Sequence, residues 1–205
     1  MNNATKLLQQ EGINIEFLED ASKRSKNPDF LNRIVEENYA NATICVNVAR
    51  NRYAGSKTLE ALAFHPEGRV RLEVAQRAEV LTSAKSLMRL AYDPCLRVRL
   101  ALARRTSNEA IKMLLLKSSK SNLDIIKECL RRIKDEKRVI EYITTSSSSK
   151  KPDFIDAAFD NAIMTEDGIY CLIKSSQCIY KRSITKLGGV LSVRVNEALK
   201  STKIM

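Results

Sequence analysis

VRLEVAQR, from Val70 to Arg77, returns as VRLALARR, from Val98 to Arg105. Superposed, Val70 meets Val98, Arg71 meets Arg99, Val74 meets Leu102, Ala75 meets Ala103 and Arg77 meets Arg105. The residues upstream answer each other as well, LAFHPEGRVR (Leu62–Arg71) against LAYDPCLRVR (Leu90–Arg99). Self-similarity at a fixed period marks a stacked-repeat architecture, because one supersecondary unit cannot bury its apolar face alone and must pack on its neighbours.

The eight-residue template has apolar residues at positions one, three and five, a small residue at six and polar residues at seven and eight. It recurs as ICVNVARN from Ile44, FLEDASKR from Phe17, IIKECLRR from Ile125, FIDAAFDN from Phe154 and, most weakly, IYKRSITK from Ile179. Between these copies lie second helices: FLNRIVEEN from Phe30, TLEALAF from Thr58, SLMRLAYD from Ser86, IKMLLLKS from Ile111, VIEYITTS from Val139 and GIYCLIKS from Gly168. Their apolar residues fall at helical spacing, as in Leu59, Leu62 and Ala63. Caps are expected at Asn27 before Pro28, at Ser56 and Ser83, and as a capping box between Thr106 and Glu109. The expected fold is all-α, an α-solenoid of about seven two-helix repeats of roughly 25–29 residues each. Its organisation reads as one structural domain: an N-terminal capping helix within residues 1–16 (Asn3–Gln10, closed by Gly12), stacked repeats over 17–189, and a C-terminal capping helix and tail over 190–205.

Composition agrees with a folded helical chain. The 205 residues are 44% hydrophobic and 29% charged, and only 6 Gly and 4 Pro leave little material for tight β-turns. No apolar run approaches the roughly 20 residues a membrane span needs, and the first residues lack the apolar core of a secretory leader. Cys45, Cys95, Cys129, Cys171 and Cys178 are odd in number and show neither CxxC nor metal-ligand spacing, so they read as reduced thiols in a cytoplasmic protein.

The pattern VR-x-x-VA-x-R, then a spacer, then L-x-x-LA-x-D-P-x-x-R, resembles the leucine-rich repeat variant, an α-solenoid related to HEAT repeats. The likeness is close from Ile44 to Arg105 and extends through weaker copies to most of the chain. It implies two short helical segments per unit stacked into a right-handed superhelix. These units run a few residues longer than that family's usual repeat, and no cysteine cluster precedes them, so nothing supports an iron–sulfur site. Solenoids host many unrelated binding roles, and the likeness by itself implies no function.

Charge is the next informative feature. Residues 41–138 hold 21 Lys and Arg against 10 Asp and Glu, and the remainder holds 14 against 14, so the formal +11 of the chain sits on the middle repeats. Positions seven and eight of the first helix read Lys23/Arg24, Arg50/Asn51, Gln76/Arg77, Arg104/Arg105, Arg131/Arg132, Asp160/Asn161 and Thr185/Lys186. Equivalent positions of stacked repeats lie side by side, position two adds Arg71 and Arg99, and the loops before it add Arg69 and Arg97. The candidate binding residues are therefore Arg50, Arg71, Arg77, Arg99, Arg104, Arg105, Arg131 and Arg132. A row of guanidinium groups suits a phosphate backbone, since Arg pairs bidentately with phosphate and each neutralised phosphate releases counterions. The competing explanation is structural: the last turn of a helix favours Arg and Lys through its dipole and open carbonyls.

Sites of chemistry are not evident. His65, the single histidine, fills the turn slot that Asp93 fills in the next unit, each followed by proline, and no nucleophile or base stands at a related place. No Gly-rich phosphate loop occurs, and Gly188-Gly189 reads as a helix stop. Phe64 and Tyr92 occupy equivalent positions, which suggests packing and leaves little aromatic surface to stack a nucleotide. TTSSSSKKPD, from Thr144 to Asp153, reads as a longer inter-helix loop closed by a cap at Asp153. The expected function is a non-catalytic module, without cofactor or metal, that binds nucleic acid, with duplex DNA favoured. The alternative is an adaptor whose basic face receives an acidic protein partner. A ladder running unbroken from Arg50 to Arg132 would mark a phosphate track, and interruption by salt-bridged Asp or Glu would favour the adaptor or a structural role.

Overall fold

A computed structural model describes residues 14–118, 122–146, 149–176, 178–187 and 192–205. The expected helix Asn3–Gln10 and the glycine stop at Gly188-Gly189 lie outside them. Among the described residues the chain is helical throughout, apart from one pair of two-residue strands. It divides into two compact units, Met1–Ser107 and Asn108–Met205. No helix among the described residues is long and apolar enough to cross a membrane.

The first unit alternates first and second helices: α1 (Ile15–Arg24), α2 (Pro28–Glu37), α3 (Ala42–Arg50), α4 (Ser56–Leu62), α5 (Gly68–Ala75), α6 (Ala84–Ala91) and α7 (Leu96–Arg105), with a short 3-10 turn at Ala78–Val80. Each template copy of the sequence falls on an odd-numbered helix here and each second-helix stretch on an even one. The first helices stack in order, α1 on α3, α3 on α5 and α5 on α7. Small residues at position six permit that close approach, for Ala49, Ala75 and Ala103 are all fully buried. Positions one and five supply the bulk of the interface through Ile44, Val70 and Val98 and through Val48, Val74 and Leu102, all fully buried. Each such side chain withdrawn from water stabilises the stack by about 1.5–3 kcal/mol. The second helices close the other side with Leu31, Leu59, Leu62 and Leu90.

The second unit repeats the alternation with α8 (Glu109–Ser118), α9 (Leu123–Arg132), α10 (Glu136–Thr145), α11 (Lys151–Phe159), α12 (Glu166–Lys174), α13 (Lys181–Lys186) and α14 (Val193–Lys200). Here α9 packs on α11 and α11 on α13, while α10 packs on α12 and α12 on α14. A terminal cluster of Ile173, Ile179, Val195, Ala198 and Leu199 closes this unit. After α14 the chain returns as β2 (Lys203–Ile204), parallel to β1 (Cys178–Ile179). Within the expected C-terminal helix and tail the described residues form α14, and the strand pair after it is an addition the helical pattern did not signal.

Capping follows side-chain chemistry with three corrections. Asn27 accepts from the amides of Asp29 and Phe30 ahead of Pro28, and Ser83 accepts from Ser86, as expected. At α4 the cap position is Gly55, without a side-chain cap, and Ser56 is already helical. Thr106 closes α7, and it is Asn108 that accepts from the Ile111 amide at the start of α8. Asp153 lies inside the first turn of α11, where it pairs with Lys127 at 2.9 Å.

Candidate binding face

Two of the candidate arginines belong to the turn that joins second to first helix. His65 and Asp93 do the same work there. His65 Nδ1 accepts from the Glu67 amide (3.0 Å) and Asp93 Oδ1 from the Cys95 amide (2.9 Å). With Nδ1 accepting, the ring proton sits on Nε2 and is donated to the Tyr39 carbonyl at 2.8 Å. His65 is thereby buried and fully engaged in holding a turn. Arg71 donates back to the carbonyls of its own turn, His65 and Pro66, and Arg99 donates to those of Asp93 and Pro94. Arg71 then reaches forward to the next repeat and grips Asp93 with both edges of its fork, Nε to Oδ2 at 2.5 Å and Nη2 to Oδ1 at 3.1 Å. Both side chains are buried, at 6% and 0% exposure. The hydrogen bond and charge of Asp93 raise the Arg71 guanidinium above its ordinary range against the opposing effect of burial. Arg71 is an internal strut and presents nothing to a ligand.

At Asn51, Arg77, Asn161 and Lys186 position eight is a clamp between repeats. Arg77 donates to the carbonyls of Ala49, Asn51, Arg52 and Ala54, which closes the C-terminal end of α3 in the preceding unit. Burial lowers its guanidinium from the ordinary value, partly offset by Glu79. Asn51, at the same position one repeat earlier, donates to the carbonyls of Ser22, Lys23 and Ser25. In the second unit Asn161 donates to Leu130 and Ile133, and Lys186 to Asp156. Open carbonyls at a helix end need donors, and this position supplies them from the next repeat. Arg77 and Lys186 at the end of the template therefore answer to a helix end, but to the neighbour's and not their own.

Position seven is partly neutralised. Arg50 pairs with Glu73 of the next first helix at 2.6 Å, a contact that raises its guanidinium above the ordinary range. Arg131 pairs with Asp160 of the next first helix at 2.9 Å, and at position eight Arg132 pairs with Glu128 of its own helix at 3.2 Å. In the second unit this grows into a network. The acidic edge of α11, Asp153, Asp156 and Asp160, is held on one side by Lys127 and Arg131 of α9 and on the other by Arg182 and Lys186 of α13. Burial pushes the Asp156 carboxyl up, yet hydrogen bonds from Ser183 and Lys186 with the charges of Lys186 and Arg182 outweigh it and hold the group below its ordinary 3.8. A depressed carboxylate stabilises the fold above its unfolded value and withdraws that stability as pH falls through its folded one. Acid titration followed by circular dichroism is expected to show the wild type losing stability below about pH 4, with Asp156→Asn less stable at neutral pH and flatter on the acid side.

Arg97, Arg104 and Arg105 are the exposed arginines of α7. They line a cleft of about 310 Å³ with Leu100 and Ala101 of the same helix, Leu72 of α5 and Gln76 at the end of α5. No carboxylate is among its lining residues. Arg97 and Arg105 are exposed and make no ion pair among the described residues. Arg97, expected in the loop before the first helix, lies instead in the first turn of α7. Its spacing to Arg104, seven residues or two helical turns, was the available signal.

The opposite layer corrects one expectation. Phe64 and Tyr92 are equivalent but not packed away, being 40% and 61% exposed, with Met88 beside them at 47%. Among the thiols, burial pushes Cys45 up to about 11 and Cys129 up to about 12, so neither supplies a thiolate near neutral pH. No described group of three or more His, Cys, Asp and Glu side chains is placed to hold a metal ion.

No family model, curated protein or solved structure matches this chain.

Proposed function

We propose that this chain is a non-catalytic helical-repeat scaffold of the cytoplasm whose first unit receives an acidic segment of a protein partner in the cleft of Arg97, Arg104 and Arg105. The seven-unit count and right-handed winding implied by the resemblance to the leucine-rich repeat variant belong to the same proposal. One observation carries the reading. Among the eight arginines of the supposed ladder, Arg71 and Arg77 are built into the repeat junctions, Arg99 is turned onto its own turn, and Arg50, Arg131 and Arg132 face carboxylates. A phosphate track needs many exposed cations in line. A compact cleft with an apolar floor at Leu72 and Leu100 and arginines on its walls suits a short run of Glu or Asp beside an aliphatic residue.

Nucleic acid stays as the second reading on the strength of one stretch. Between Asp93 and Glu109 the chain carries Arg97, Arg99, Arg104 and Arg105 and no acid. Both readings are tested by fluorescence anisotropy of the whole protein against a labelled Glu-rich peptide and a labelled DNA duplex, each across a salt series. The variant combines Arg97→Gln, Arg104→Gln and Arg105→Gln. For the acidic-partner reading the peptide binds and the variant weakens it about tenfold or more, since three partly exposed charge contacts sum to roughly 1–3 kcal/mol. Tighter duplex binding, with log K falling by several units per decade of salt, would replace it with the nucleic-acid reading. Failure of both probes would remove the cleft as a site.

A further inference from the structure

The second unit has a groove of a different character on its second-helix layer. Residues Ala110, Met113, Leu114 and Lys117 of α8 form one wall, at the i, i+3, i+4, i+7 spacing of a single helix face. The facing wall comes from α10 at the same spacing, beginning at Arg138 and including Glu141 and Tyr142. The space between measures about 510 Å³ and is open to solvent along two helical turns of each wall. Met113, Leu114 and Tyr142 are only half-buried.

The corresponding interval in the first unit is closed by the chain itself. There Lys85 lies over the ring of Phe64 at 5.4 Å, and Glu60 bridges to Thr82 and Ser83 across the gap. In the second unit the place equivalent to Phe64 and Tyr92 is taken by Lys117, so no ring of that series lies over the interval. Methionine and tyrosine are suited to an adaptable contact surface, since Met conforms to irregular shapes and Tyr joins an apolar ring to a polar tip.

We propose that this groove docks one amphipathic helix of an acidic protein partner. Two parallel rows at helical spacing offer the seat that a third helix fills with apolar residues at i, i+3 or i+4, and i+7. The charges select its flanks. Lys117 closes the row on α8 and Arg138 opens the row on α10, both exposed, while Glu141 is the one acid of the lining. Arg138 shares its charge with Asp135 at 3.2 Å, yet both side chains of that pair remain about half exposed. Acidic residues on the incoming helix thus meet a cation towards each end, and a basic helix meets two like charges. The site is distinct from the arginine cleft of the first unit and does not depend on it.

The test uses the whole protein with its methionine methyl groups labelled with ¹³C, since the chain has only 5 methionines and Met113 lies in the wall. The probes are three synthetic peptides of about fourteen residues: an amphipathic helix with Leu at i, i+4 and i+7 and Glu on its flanks, the same helix with Lys for Glu, and a scrambled acidic peptide. The acidic helix is expected to shift the Met113 resonance and saturate, with the other two at least tenfold weaker. Met113→Glu should remove this binding while the helical signal stays unchanged, the side chain being only half-buried in the groove wall. Lys117→Glu with Arg138→Glu should reverse the preference towards the basic helix. Arg97→Gln with Arg105→Gln should leave it untouched, which separates this groove from the first-unit cleft. Equal binding of all three peptides, or no Met113 shift with any, would overturn the proposal. So would a concentration-dependent self-association in sedimentation that Met113→Glu abolishes, because the groove would then be filled by a second copy of the chain.

Discussion

Replacing Arg71 by methionine is expected to cost the first unit about 3–5 kcal/mol, the range for removing one partner of a buried ion pair. The loss comes less from the pair than from what it leaves behind. Asp93 is fully buried and would keep a charge with only Arg89, at 3.3 Å, and its own turn amide for company. The carbonyls of His65 and Pro66 lose their shared donor in the same stroke. Domains are stable by about 5–15 kcal/mol in total, so the variant should begin to unfold early in a urea titration. Adding Asp93→Leu to Arg71→Met should return part of the loss, because a well-packed apolar pair is often no worse than a buried ionic one. A double variant no more stable than either single one would show that the turn carbonyls, rather than the carboxylate, set the cost. Duplex or peptide binding by whatever protein stays folded should be unchanged, for Arg71 touches no surface.

The repeat itself was legible because helix packing writes its needs at fixed intervals. Val70 and Val98, or Ala75 and Ala103, are alike because each pair faces the same neighbouring helix, and all four are fully buried. The turn slot shared by His65 and Asp93 was legible for the same reason, although the chemistry they share, a side-chain acceptor for the amide two residues on, was not obvious from two such different residues. Equivalence says that two residues share an environment without saying which. That is why Phe64 and Tyr92, matched in the pattern and read as packed, are instead exposed together.

The arginines divide along a line that spacing alone could not draw. A cation in the last turn of a helix can point to solvent, to an acid one repeat away or to the carbonyls of the preceding repeat. Those outcomes depend on a rotamer and not on a period. The acids that answer Arg50 and Arg131 lie 23 and 29 residues further on, at two different template positions, so no fixed offset announces them. One signal was present at position eight. Asn51 and Asn161 stand there in the same role as Arg77, and asparagine has no charge to offer a phosphate. What Asn and Arg have in common is several N–H donors on one planar group, the requirement for closing a helix end. The cleft at Arg97, Arg104 and Arg105 was only half visible, because it needs the floor that Leu72 and Leu100 provide from two adjacent repeats.

Arg77→Ala is the sharpest test of that division. The guanidinium holds four carbonyls around the end of α3, and a charged donor to buried acceptors contributes about 1.5–3 kcal/mol net, so a loss of about 2–3 kcal/mol is expected. Arg77→Lys should recover only part of it, since an ammonium cannot reproduce the planar fork that spans these acceptors. Arg97→Ala, on an exposed site of the same layer, should change stability by no more than about 0.5 kcal/mol. The binding assays should rank the two the other way, with Arg97→Ala weakening the acidic probe and Arg77→Ala leaving its affinity intact below the unfolding transition. Thermal melts and anisotropy titrations on the same three variants measure both orders. If Arg77→Ala left stability unchanged and cost affinity, position eight would be a ligand contact after all, and the arginine row would again read as one continuous surface.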